Sequence, residues 1–173
     1  MASQNPKTMI LVRGLSGSGK TTIADLIVGE DESRISISVD DYFYSDDDEY
    51  EFDVSKLVDA HNWCKQEVET CLTQGYEVVV VHNTFTRRFE LEKYLSLAIN
   101  YGYRIHVISL FDNGLTDLQL AKQCVHNVPI SNIKVQRRRW EDDVFRERSP
   151  KNSYKSRVSN KQSEKGKYRS SRK

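Results

Sequence analysis

No apolar run in this sequence approaches the roughly twenty residues that a membrane-spanning helix requires. Cysteine is scarce: Cys64, Cys71 and Cys124 are odd in number and lack the spacing of metal ligands. Cys64 and Cys71, seven apart on a helical pattern, read as small apolar core residues of a reducing compartment. The segment Ala2 to Thr8 is short and polar, so no secretory signal precedes Met9. These absences together predict a soluble intracellular protein, cytoplasmic or nuclear, with no membrane partner.

A length of 173 residues suits one domain with a real core. Its charge is unevenly placed. From Ser149 to Lys173 there are nine Lys or Arg against the single acid Glu164, a net of +8. The remaining residues carry 17 basic and 24 acidic groups, a net of −7. The division expected is therefore a folded body over 1–148 and a basic, Ser-rich tail over 149–173. Val158 is the tail's only aliphatic residue, too little apolar surface to offset chain entropy, which predicts disorder. Such a tail suits a polyanion such as nucleic acid or an import receptor, or is a solvated extension without a partner.

The most informative stretch is Gly14-Leu15-Ser16-Gly17-Ser18-Gly19-Lys20-Thr21, a complete phosphate-binding loop. Met9 to Val12 before it reads as a buried strand. Thr22 to Val28 after it reads as a helix with Ile23, Leu26 and Ile27 on one face. Glycines let the loop turn its N–H groups around a phosphate, at the positive end of the following helix. Gly14, Ser16, Gly17, Ser18, Gly19, Lys20, Thr21 and Thr22 are the expected nucleotide contacts. Lys20 is expected to reach the terminal phosphates of ATP and Thr21 to ligate Mg2+.

Ile35-Ser36-Ile37-Ser38-Val39 alternates as a second strand, ending at Asp40-Asp41-Tyr42-Phe43. Asp53 to Gln74 reads as a helix with Leu57, His61, Cys64, Val68, Cys71 and Leu72 on one face, stopped by Gly75. Val78 to Val81 is an unbroken β-branched run, the mark of a strand buried on both faces. A helix carrying Phe89, Leu91, Leu95, Ala98 and Ile99 follows, then a strand from Ile105 to Leu110. Two helices, Leu115 to Val125 and Ser131 to Arg146, flank Pro129. This order predicts a P-loop NTPase-type α/β fold, a parallel sheet of four or five strands flanked by helices. Ligands of such sheets sit beyond the carboxyl ends of the strands, which gathers Lys20, Asp40, Asn83 and Thr84 on one rim.

A GTPase requires a guanine-reading Asn-Lys-x-Asp element, and the sequence has none. A motor or AAA-type ATPase normally ends its hydrophobic strand in an acid, where this chain has His82. Asp40 instead ends the second strand, where a carboxylate accepts the proton of an attacking hydroxyl or else merely begins a hydrated acidic loop. Eight acids lie between Asp40 and Asp53, a density that repels a long phosphate backbone.

The phosphate loop, Asp40-Asp41-Tyr42-Phe43, Tyr50-Glu51-Phe52-Asp53, Ala60-His61-x-Trp63, Asn83-Thr84, Val125-His126-x-Val128 and Arg139-Trp140-Glu141 occur in the order of one family. The chain resembles the kinase module of the phage-type polynucleotide kinases, in their animal, NEDD-binding-protein-two-like branch. The resemblance spans Met9 to about Phe145. It implies an ATP-dependent kinase acting on a nucleic-acid 5′-hydroxyl, with Asp40 as general base. Asp41, Asn83 and Thr84 are the substrate-side residues it implies. The chain also departs from the family. His82 replaces a strand-end Asp, Gln123-Cys124 stands where a lid Arg-Asn pair is usual, and Asn127 lies near a second arginine position. Lys122, Arg137, Arg138 and Arg139 are the cations left to replace the lid, Arg139 matching best, while Arg137 and Arg138 suit a solvated helix face. The lid's loss leaves two further readings open: a nucleotide-binding interaction protein with weakened catalysis, and a kinase of a small hydroxyl compound such as a nucleoside.

Overall fold

A computed structural model describes residues 6–47 and 49–142. The expected tail, 149–173, and the end of the expected final helix, 143–146, lie outside the described residues. Four strands, β1 (Thr8–Gly14), β2 (Arg34–Ile37), β3 (Val78–Asn83) and β4 (Arg104–Phe111), form one parallel sheet in the order β2-β3-β1-β4. Helices α1 (Lys20–Val28), α2 (Leu57–Gln74), α3 (Arg88–Asn100), α4 (Asp117–Gln123) and α5 (Ile130–Arg139) surround it. The expected P-loop NTPase-type α/β fold is the fold observed. No helix among the described residues is long and apolar enough to cross a membrane.

Strand β1 lies between β3 and β4, and its alternation serves two cores. Met9 and Leu11 join Val79, Val81 and the buried faces of α2 and α3. Val12 points the other way, onto Val80 and Ala24 of α1. Register pairs Leu11 with Val81 and Arg13 with Asn83, so the first loop residue starts beside the carboxyl end of β3. A third, smaller cluster of Leu15, Leu120 and Ile133 lies over the rim, with Phe111 and Trp140 against it.

Several side chains face otherwise than their periodicity predicts. Leu26 is 75% exposed, and Ala24 makes the buried contact of α1, because a small residue lets the helix lie close to the strands. His61 is exposed and Ala60 takes its place on the buried face of α2. Phe89 and Ile99 are exposed on α3, where Leu91, Tyr94, Leu97 and Ala98 are buried instead. Strand β2 stops at Ile37, so Asp40 belongs to a 3-10 turn over Asp40–Phe43 and not to the strand itself. Likewise the segment before Leu57 is a separate 3-10 turn, Val54–Lys56, begun by the Asp53 carboxylate accepting from Ser55 N–H.

Leu11→Ala removes a fully buried side chain from the central strand, where neither neighbouring strand can collapse into the space. The expected loss is about 2–5 kcal/mol. Urea unfolding followed by circular dichroism should show a lower midpoint with an unchanged slope.

Candidate phosphotransfer site

At the carboxyl end of β1 the Gly14 N–H donates to the Thr84 carbonyl at 3.3 Å and the Leu15 N–H to the Phe111 carbonyl at 2.8 Å. The loop thus opens between the ends of β3 and β4. Gly17 (φ 81°) and Gly19 (φ 92°) take left-handed conformations that bulky residues avoid. The first helical bond of α1 runs from Ile23 N–H to the Gly19 carbonyl at 3.1 Å. The N–H groups of Lys20, Thr21 and Thr22 therefore precede the first donor of the helical ladder, Ile23 N–H, and lie at the positive end of the helix without an intrahelical acceptor.

Lys20 folds its ammonium back onto the Leu15 carbonyl, Nζ to O 2.9 Å. Burial lowers its pKa to about 8, and the nearby Asp40 charge opposes that fall. Ser16 and Ser18 are already engaged. Ser16 N–H donates to Gln136 Oε1 and Ser16 Oγ accepts from Gln136 Nε2, both at 2.9 Å. Ser18 N–H donates to the Leu15 carbonyl at 3.1 Å, and its Oγ is buried without a hydrogen-bond partner. Three consecutive loop residues are held from outside by α4 and α5. Leu15 is buried between Leu120 and Ile133, Ser16 is paired with Gln136, and Gly17 lies beneath the Leu120 carbonyl.

The Asp40 carboxylate is half exposed. Its Oδ1 accepts from the Tyr50 hydroxyl at 3.3 Å, and its Oδ2 lies 3.9 Å from His126 Nε2. The His126 and Tyr50 rings stack, centroids 3.9 Å apart and 26° between planes. Burial, then the Asp40 charge, raises the Tyr50 pKa and keeps the phenol protonated as a donor. Two of the three expected substrate-side residues, Asp41 and Asn83, shape this turn. Asp41 uses both carboxylate oxygens on Ser38, accepting from its N–H (2.7 Å) and its hydroxyl (2.8 Å). Asn83 is buried and its Oδ1 accepts from Val39 N–H at 2.8 Å, fixing the residue before Asp40. Thr84 meets the loop through its carbonyl.

His82 is buried on the α1 face, and burial lowers its pKa despite the nearby Asp41 charge. Two of the four expected lid cations, Arg137 and Arg139, are engaged elsewhere. Arg137 is not on a solvated face: it donates to Asp117 at 2.8 Å, pairs with Asp112 and reaches the Leu115 carbonyl. Arg139 reaches Glu90 at 3.4 Å. Trp140 and Glu141, which follow it, have a structural role. The fully buried Arg13 guanidinium lies 3.7 Å from the Trp140 ring centroid and donates to the Glu141 carbonyl at 3.0 Å. Glu141 N–H in turn donates to the Thr86 carbonyl at 2.9 Å. This latch ties the end of α5 to the residue that precedes the loop.

Among the described residues no group of three or more His, Cys, Asp or Glu side chains could hold a metal ion. The donors present fit magnesium carried on phosphates, where the protein supplies one or two oxygens and the phosphates supply the rest. Thr21 lies exposed in the first turn of α1, beside the outward N–H groups, where such an ion would meet it. The left-handed glycines and the buried ammonium fit the phosphates themselves.

A family model described as an AAA domain (AAA_33) matches residues 9–168. The chain belongs to this family. It is the P-loop, kinase-like family that the order of motifs implies, although the hydrophobic run of β3 is followed by His82 and not by an acid. The chain is 31% identical over 97 residues to human NEDD4-binding protein 2, across 56% of its own length and 5% of that protein. A chain of the Pnkp1/Rnl/Hen1 RNA repair complex matches 80% of it with TM-score 0.61 and 16% identity, over 45% of that chain. A gluconokinase from Sinorhizobium meliloti 1021 matches 81% of it with TM-score 0.52 and 18% identity, over 78% of that chain. At these identities the two structures share the fold.

Gly17→Ala should uncouple the loop from α4. Its Cβ would stand 2.1 Å from the Leu120 carbonyl oxygen, and its φ of +81° is strained for any side chain. Calorimetry should show a lower Tm and a loss of ATP affinity of about fivefold to 150-fold, the equivalent of about 1–3 kcal/mol of strain.

Proposed function

We propose that this P-loop kinase-like protein transfers the γ-phosphate of ATP to a 5′-hydroxyl at a nucleic-acid end. The observation that carries the reading is Asp40. It stands on a turn fixed by Asn83 and Asp41, near enough to Lys20 for the two charges to interact. The N–H groups of Lys20, Thr21 and Thr22 at the amino end of α1 hold the phosphates, and the Lys20 ammonium pairs with the terminal ones; the N–H groups of Gly14, Leu15, Ser16 and Ser18 are already given to protein acceptors. Magnesium on Thr21 supplies neutralisation of the β- and γ-phosphate charge when bound.

The acceptor O–H bond breaks and its proton passes to Asp40 Oδ2. The acceptor oxygen bonds to the γ-phosphorus as the bond from that phosphorus to the bridging oxygen breaks, its electron pair leaving on ADP. Tyr50 leaves Oδ2 available by engaging Oδ1. The acids around Asp40 favour entry of a polynucleotide by its end, and the +8 charge over 149–173 supplies attraction that the acidic body lacks. Arg139 directs one guanidinium nitrogen to Glu90 rather than to the loop. That commitment, with Arg137 held by Asp112 and Asp117, favours a second reading, a nucleotide-binding interaction protein of weak catalytic power.

Asp40→Asn keeps the size of the side chain and removes the proton acceptor. With γ-labelled ATP and 5′-hydroxyl DNA, RNA and nucleosides as acceptors, it should lower turnover about a hundredfold or more and leave ATP affinity nearly unchanged. Equal turnover by both proteins would make Asp40 structural. Binding without turnover in the wild type would establish the second reading.

A further inference from the structure

Two residues far apart in sequence converge on the catalytic carboxylate, and the phosphotransfer chemistry accounts for only one. Tyr50 holds Oδ1 of Asp40. His126, on the connector between α4 and α5, approaches Oδ2 at 3.9 Å. That separation exceeds a hydrogen bond, yet one oxygen atom can lie about 2.8 Å from both atoms at once. Both side chains are partly open to solvent, Asp40 half exposed and His126 about one-fifth exposed.

The imidazole is held where it is by more than its connector. It stacks on Tyr50 and meets Tyr44 edge-on, centroids 6.1 Å apart. Tyr44 and Tyr50 are themselves packed at 5.2 Å and joined by a β-bridge. The residue after His126, Asn127, takes a left-handed conformation (φ 51°) and donates its N–H to the Cys124 carbonyl, closing the tight turn that presents the ring. A stacked ring on a tight turn is a rigid donor, the kind of support that positioning of a reacting group demands.

We propose that His126 and Asp40 grip the acceptor hydroxyl together: Asp40 Oδ2 takes its proton while His126 Nε2–H donates to its oxygen. This rests on the phosphotransferase reading. The hydroxyl is thereby aimed by two fixed atoms, its hydrogen toward the carboxylate and a lone pair toward the phosphorus. No redox or covalent step is added, since His126 forms only a hydrogen bond that persists through the transfer.

The test compares wild type with His126→Ala and His126→Gln, using γ-labelled ATP and a 5′-hydroxyl acceptor, with ATP affinity measured by calorimetry in parallel. Loss of the grip should lower kcat/KM for the acceptor about tenfold to a hundredfold in His126→Ala, as expected when orientation is lost. ATP affinity should hold. His126→Gln, whose amide N–H reaches a similar position, should recover most of the loss, and added imidazole should partly rescue His126→Ala. Equal kcat/KM in wild type and His126→Ala would overturn the grip and leave the kinase reading intact. A His126→Gln as slow as His126→Ala, with no imidazole rescue, would also overturn it, because ring stacking on Tyr50 would then be the role. Loss of ATP affinity in both variants would overturn it as well, by making His126 a support of the loop. No transfer by the wild type to any acceptor would overturn the kinase reading itself, and the grip with it.

Discussion

The structure depends on one awkward charge, the ammonium of Lys20, folded under its own loop onto a single carbonyl. A lysine so placed loses water without gaining a full ion pair, and burial accordingly lowers its pKa to about 8. The surroundings are organised as if for an anion to complete it. The amino end of α1 leaves N–H groups without intrahelical acceptors, and the Asp40 charge acts on the ammonium, whose hydrogen bond goes to the Leu15 carbonyl. In the proposed function, a phosphate chain supplies the missing charge.

The loop keeps that arrangement because it is packed from both sides. Inside, β1 is locked between β3 and β4, and the Arg13 latch draws Trp140 and Glu141 onto its end. Outside, Leu15 is a core residue of the α4–α5 cluster, and Gln136 satisfies two polar groups of Ser16. The same pair of helices carries the connector that presents His126 to Asp40. The loop and the His126 connector are therefore both anchored by α4 and α5.

What the sequence made legible were features with a local signature. The phosphate loop, the β-branched run of β3 and the strand-helix alternation each specify themselves within about ten residues. The buried faces were less legible, because periodicity names a stripe without saying which neighbour covers it. Leu26 and Ala24 show the result: the helix turned to lay its smaller residue on the sheet. Least legible were pairings across the chain, such as Ser16 with Gln136, Tyr50 with His126, and Arg13 with Trp140, which depend on how α4 and α5 close over the rim. His126, Tyr50 and Trp140 lie within motifs shared with the family; for Gln136 no signal existed.

The pH dependence of ATP affinity tests the role of Lys20 most directly. In the free protein its amine titrates at about 8, and bound phosphates raise that value. Below pH 8 the amine is charged in both states, so affinity should be level. Above it, binding must recruit a proton, and affinity measured by calorimetry at fixed magnesium should fall by up to about tenfold per pH unit. Proton uptake should accompany binding in that range. Affinity that stays level to pH 9.5, with no proton uptake, would contradict the claim that a buried ammonium at Lys20 receives the phosphates.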